Sequence, residues 1–319
     1  MNSETVVNTL EASATRYRGL VEASSRVAGL PAVATLDWCD AAAATLTSLV
    51  PGSFSLVLIA NLSPDGRISG HEAGGSAHAG ATTNLRMRHL LSGLRAGADH
   101  MRELGWTPHP EMTSRGQVGL ASALAGPSWR EGLIGHTWQP AEANDVVCAA
   151  YPLDPGRSGR ALITHLTTTR GFAETPPENE DLVAQLASLV PQLAERVLLA
   201  LGETPSTSGR WLTAREQQVL EELTLGKSVR DIAEVLGRSP HTVHDHVKSL
   251  HRKLGASSRG ELISRALGHL AGESRLPEAP MVMSISGSPA LDFEPKLAQR
   301  ARAIPTESIS TQGASYRGQ

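Results

Sequence analysis

The chain has 319 residues, 40% of them apolar, 19% charged and 3% aromatic, with a formal net charge of −3. That length holds two domains with separate cores, and so few aromatics argue against an aromatic-lined cofactor pocket or a stacking platform for single-stranded nucleic acid. Cys39 and Cys148 stand far apart with no CxxC spacing, which excludes a disulfide framework and points to a reducing compartment.

The first twenty residues mix Glu4, Glu11, Arg16 and Arg18 into a polar stretch, unlike a secretory signal. No run approaches the roughly 18 apolar residues of a membrane span. The expectation is a cytoplasmic protein with no membrane partner.

Residues 4–28 predict an amphipathic helix, and an Ala-rich helix follows Pro31 and ends near Pro51. The period then changes. Residues 53–60 (SFSLVLIA) are a β-rich apolar run, Ser63-Pro64-Asp65-Gly66 is a turn, and residues 67–71 can return as its hairpin partner. Residues 84–104 predict a helix. A second strand pair, 145–153 and 160–169, flanks the turn at residues 154–159. A long helix over 178–201 closes the region, with Leu182, Leu186, Leu189, Leu193 and Val197 at helical spacing. Helices, strands and a closing helix predict an α+β domain, residues 1–201, built on an antiparallel sheet with flanking helices. That element order resembles GAF and PAS sensor modules, which implies a sensor or dimerisation role and a small-molecule ligand of unknown identity.

Residues 202–209 (GETPSTSG) read as a linker. Between Arg210 and Leu270 ten Lys/Arg stand against seven Asp/Glu, leaving the remainder with 19 basic and 25 acidic residues. A basic module joined to an acidic one suits a DNA reader with a non-DNA-binding partner domain. The tail, 272–319, is poor in periodic apolar residues and is expected to be disordered.

Four helix starts lie close together within 210–271. Thr213 with Glu216, and Ser258 with Glu261, spell capping boxes; Ser228 with Asp231 follows the stop at Gly226; Ser239 precedes a Pro at the first helical position. In the third helix, Val243, Val247, Leu250 and Leu254 fall in one stripe, while His241, Asp245, Lys248 and Arg252 fall opposite. A helix pinned by one edge and polar along the other fits the major groove.

Residues 212–266 resemble the LuxR-type (GerE-like) helix-turn-helix domain over its full length. The carrying residues are Leu212-Thr213, Arg215-Glu216, Val219-Leu220, Gly226, Ile232-Ala233, Leu236, Ser239, Thr242-Val243, His246-Val247, Lys253-Leu254 and Ser258-Arg259. The resemblance implies an all-α four-helix unit whose third helix, 239–254, reads double-stranded DNA. His244, Asp245 and Lys248 are then the base-edge candidates. Ser239, His241, Thr242, His246, Arg252 and Lys253 complete the DNA-binding set, mostly toward phosphates. His244 departs from the usual Lys or Arg, and Asp245 repels phosphate while able to accept from cytosine N4, so no operator carries over from relatives. The fourth helix, with Ile263, Leu267 and Leu270, either pairs subunits or packs within one domain.

Other constellations fail. Gly226-Lys227-Ser228 ends like a P-loop, but the required upstream glycine falls at Glu221. His71-Glu72 lacks a second His at metalloprotease spacing, and the scattered His and Cys form no ligand set. Trp106, Trp129 and Trp138 line a pocket or pack a core. No catalytic, cofactor or metal site is expected, and the protein is not expected to be an enzyme. The reading is a homodimeric transcription regulator with RNA polymerase as a further partner. Its alternatives are a first domain that only dimerises, or one that is a DNA-targeted enzyme.

Overall fold

In the computed structural model, which describes residues 17–50, 52–63, 65–78, 104–109, 115–153, 159–168, 176–201, 211–267 and 280–283, the apolar run SFSLVLIANL forms strand β1 (Ser53–Leu62). Its first eight residues are buried on both faces, because it lies inside the sheet between β2 (Ile68–His78) and β5 (Arg160–Thr168). The hairpin partner β2 runs seven residues beyond the expected strand. With β3 (Gln117–Leu120), β4 (Val147–Pro152) and β6 (Met281–Val282), the sheet order is β2-β1-β5-β4-β3-β6.

All pairings are antiparallel except β3 with β6. The sheet is thus mixed, with flanking helices as expected, and its one parallel edge strand, within Pro280–Met283, comes from the chain beyond the reader helices. Strands this short carry too little periodicity to stand out in sequence. The rest of the tail, the linker 202–209 and residues 84–103 of the expected helix lie outside the described residues.

One sheet face is covered by α1 (residues 17–28), α2 (Trp38–Thr47) and α5 (Pro176–Leu201). Leu182, Leu186, Leu189, Leu193 and Val197 of α5 are buried there beside Val57, Ile59, Leu162 and Leu166 of the central strands. Glu180–Leu201 is long and apolar enough to cross a membrane by length and composition, which corrects the expectation that no stretch qualifies. Its apolar stripe is occupied by the sheet. Helix α2 packs so closely on β2 that a Cβ on Gly75 would lie 2.2 Å from the Asp40 nitrogen. The Asp40 carboxylate accepts from the Ser76 N–H at 2.9 Å.

The other face carries α3 (Ala121–Leu124), a 3₁₀ turn (Pro127–Glu131), α4 (Leu133–Trp138) and a second 3₁₀ turn (Gln139–Ala141). Trp106, Trp129 and Trp138 do gather there, in one core with Phe54, Leu56, Cys148 and Ile163. The Trp138 indole N–H donates to His165 Nδ1 at 3.0 Å. Burial of His165 pushes its pKa down to about 4, so the imidazole is neutral near pH 7.

Candidate nucleic-acid interface

The segment from Trp211 to Leu267 folds as α6 (Ala214–Thr224), α7 (Val229–Val235), α8 (Pro240–Leu254) and α9 (Arg259–Ala266). The caps legible in sequence set these boundaries. The Thr213 hydroxyl accepts from the Glu216 N–H and the Glu216 carboxylate from the Thr213 N–H; Ser228 and Asp231 repeat the pattern. Ser258 accepts from the Glu261 N–H, but the Glu261 carboxylate takes the Ser257 N–H and hydroxyl, so that box is shifted by one residue. Gly237 (φ 59°) turns the chain between α7 and α8, and Gly255 (φ 63°) ends α8 in the left-handed region.

Leu220, Leu223, Ile232, Ala233, Val243, Leu250 and Leu262 form the core of this unit, with Val247 and Leu254 packed half-buried against it. Helix α8 is therefore held along the edge its sequence pattern assigned. The opposite edge is open: His241, Thr242, His244, Asp245, Lys248 and Arg252 are exposed. Asp245 lies between two partners on the same face, His241 Nε2 at 3.6 Å and Lys248 Nζ at 3.9 Å. Both contacts are solvated, so either partner can leave for a base edge or a phosphate at little cost.

Three members of the expected set sit differently. Ser239, itself exposed, is committed as the N-cap, accepting from the Thr242 N–H at 3.1 Å. His246 is half-buried. Lys253 is turned inward, its ammonium donating to Glu216 at 2.6 Å and to the Trp211 carbonyl at 2.9 Å. Glu216 also accepts from the Ser249 hydroxyl at 2.7 Å. Burial acts to raise the Glu216 pKa, but the bonds from Lys253, Thr213 and Ser249 outweigh it and hold it at about 2. Lys253 thus ties α8 to the start of α6 and is not part of the open edge. Helical spacing could not distinguish these roles, because Lys253 flanks the apolar stripe and its partner is 37 residues earlier.

Two exposed cations lie outside the expected set: Arg230 in the first turn of α7, and Arg238 immediately before the Ser239 cap of α8. The signal for Arg238 was the turn itself, which places positive charge beside a helix end already favourable to anions. Among the described residues, no group of three or more His, Cys, Asp or Glu is arranged to hold a metal ion.

Residues 210–266 match the family model described as bacterial regulatory proteins, luxR family. This segment is a luxR-family DNA-binding helix-turn-helix domain. Among curated relatives, the transcriptional regulatory protein UhpA of Salmonella typhimurium is 39% identical over 103 residues, covering 30% of this chain and 49% of its own. The probable transcriptional regulatory protein NarL of Mycobacterium tuberculosis is 41% identical over 56 residues, covering 18% of this chain and 26% of its own. This chain therefore spans about half or less of the length of these relatives. A crystal structure of Escherichia coli SdiA aligns with 69% of this chain and 85% of its own at 17% identity, with a TM-score of 0.26. A score that low carries no argument about the N-terminal fold. The luxR-family domain here is thus defined by its own four helices and by the sequence match over them.

Proposed function

We propose that the whole protein is a transcription regulator whose luxR-family domain reads double-stranded DNA through the open edge of α8. The observation that carries this is the division of α8: Val243 and Leu250 are fully buried, while His241, Asp245 and Lys248 on the other side are solvent-facing. Lys248 is the leading base reader, a donor for guanine O6 or N7, and Asp245 an acceptor for cytosine N4. His244 is a further base-edge contact. Thr242, His241, Arg252, Arg230 and Arg238 hold phosphates and fix the register.

The protein acts as a homodimer on an inverted repeat, with recognition helices about one helical turn, roughly 34 Å, apart. RNA polymerase is its partner at promoters, the cytoplasm is its compartment, and its role is binding rather than catalysis. Residues 1–201 form the control domain and 210–271 the reader. The order of three strands, short helices, two strands and a long closing helix supports the GAF/PAS-like reading of the control domain, which would answer to a small molecule.

In-vitro site selection with the full chain tests the proposal. The wild type enriches one inverted-repeat motif and Lys248→Ala enriches an altered one. An unchanged motif in Lys248→Ala refutes the assigned edge.

A further inference from the structure

The reader and the sheet are joined by more than the linker. Val33, in the segment between α1 and α2, is 5% exposed and belongs to the reader's core. Trp211, the first described residue of the reader, packs in return against the core under the sheet. Backbone bonds fix the exchange: the Leu212 N–H donates to the Ala34 carbonyl at 2.8 Å, and the Leu36 N–H to the Gln217 side chain at 3.3 Å. Arg196 of α5 holds the same segment through the Leu30 carbonyl.

The chain beyond the reader comes back to the same sheet. Pro280–Met283 adds to the free side of β3, the Met281 N–H donating to the Gly116 carbonyl at 3.0 Å and the Met283 N–H to the Val118 carbonyl at 2.8 Å. Met281 is buried and Val282 packs on the α5 side of the sheet. Reader helices α6–α9 are thus bounded on both sides in sequence by attachments to one sheet.

We propose that Pro280–Met283 is a releasable clasp, a strand added in cis that keeps the reader docked and lowers its affinity for DNA until it leaves β3. This rests on the DNA-reading role given above. Two features make the docked form one of two states. The clasp is a strand of minimal length, with only two residues in register with β3, so its pairing is weak on its own. The joint it secures also contains three buried polar atoms that have no hydrogen-bond partner among the described residues: Thr35 Oγ1, Arg196 Nε and Trp211 Nε1. Each would gain water on opening, which favours release. The linker composition, GETPSTSG, suits a reader that moves away and back. A docked reader takes its orientation from its own sheet. A released one is free to pair with a second copy across an inverted repeat.

The test uses the full chain with Met283→Pro, which deletes the Val118 bond, and Met283→Ala, which keeps it. Amide hydrogen exchange at Leu212, remote in sequence from the substitution, reports docking. Met283→Pro should expose the Leu212 amide and tighten binding to the selected duplex about tenfold, the factor expected if one molecule in ten is released at rest. Met283→Ala should do neither. A chain ending at Ala279 should repeat the Met283→Pro result, with protected β1 and β5 amides showing that the sheet is intact. Unchanged protection at Leu212 in both clasp-free chains overturns the clasp, and unchanged DNA affinity with Leu212 released overturns its inhibitory role. The exchange arm needs no DNA, so failure to select any duplex would count against the reading function and leave the clasp decided by exchange.

Discussion

Glu216 and Lys253 form a 2.6 Å ion pair inside the reader, with side chains only 6% and 14% exposed. The pair converts the capping residue of α6 into the anchor for the end of α8. Removing Lys253 leaves the buried Glu216 charge with only its Thr213 and Ser249 hydrogen bonds, so Lys253→Ala should destabilise the reader by about 3 kcal/mol, the low end for a broken buried pair. Lys248→Ala, at an exposed position, should stay within about 0.5 kcal/mol of the wild type. Thermal or denaturant unfolding followed on the reader distinguishes them. Equal stability of the two variants would mean that Lys253 is not an anchor.

The same pair sets an acid limit. The Glu216 pKa falls from an ordinary 4.5 to about 2 on folding, so the unfolded chain binds the proton first. The stabilisation is complete above pH 4.5 and is lost as pH falls from there toward 2. Glu216→Gln should flatten the reader's stability profile in that window, leaving the slopes due to Glu261, whose hydrogen bonds with Ser257 and Arg265 also hold it at about 2, and to Asp231, which its Ser228 hydrogen bonds hold below the usual carboxylate range. A Glu216→Gln profile as steep as the wild type would contradict the assignment.

His165 predicts a different window for the sheet domain. Burial lowers its pKa from 6.5 to about 4, so the neutral folded form is favoured above 6.5 and stability drains away as pH falls from 6.5 to about 4. His165→Gln should remove that slope whatever its effect at neutral pH. NMR titration of the imidazole provides the direct check, since a midpoint near 6.5 in the folded chain would rule the prediction out.

Gly75 is where α2 meets β2. A Cβ there would fall 2.2 Å from both the Asp40 nitrogen and the Cys39 carbonyl carbon, backbone atoms that cannot rotate aside. Gly75→Ala should therefore cost about 1–3 kcal/mol or more by overpacking. Gly70→Ala on the same strand, with open space at its Cβ, serves as the control. The order of the two melting temperatures is the readout, and similar values would contradict the close approach.

Legibility in the sequence followed how local the cause was. Thr213, Ser228 and Ser239 announced their helices because a cap is settled within four residues. The α8 stripe was readable because helical periodicity decides which edge is buried. What escaped depended on distant partners. Lys253 looked like a phosphate ligand until Glu216 was beside it. Strand β3 is four residues long, and β6 is two residues long and stabilised by a neighbour more than 160 residues earlier. Val33 gave no sign of belonging to the reader's core, because nothing near it in sequence distinguishes one apolar core from another.

The central claim is that the outer edge of α8 reads bases. A double-mutant cycle between Lys248→Ala and each base pair of the selected duplex tests it most directly. The account predicts coupling of about 1–3 kcal/mol at one base pair in each half-site and none elsewhere. Zero coupling at every position, with binding still sequence-specific, would contradict it.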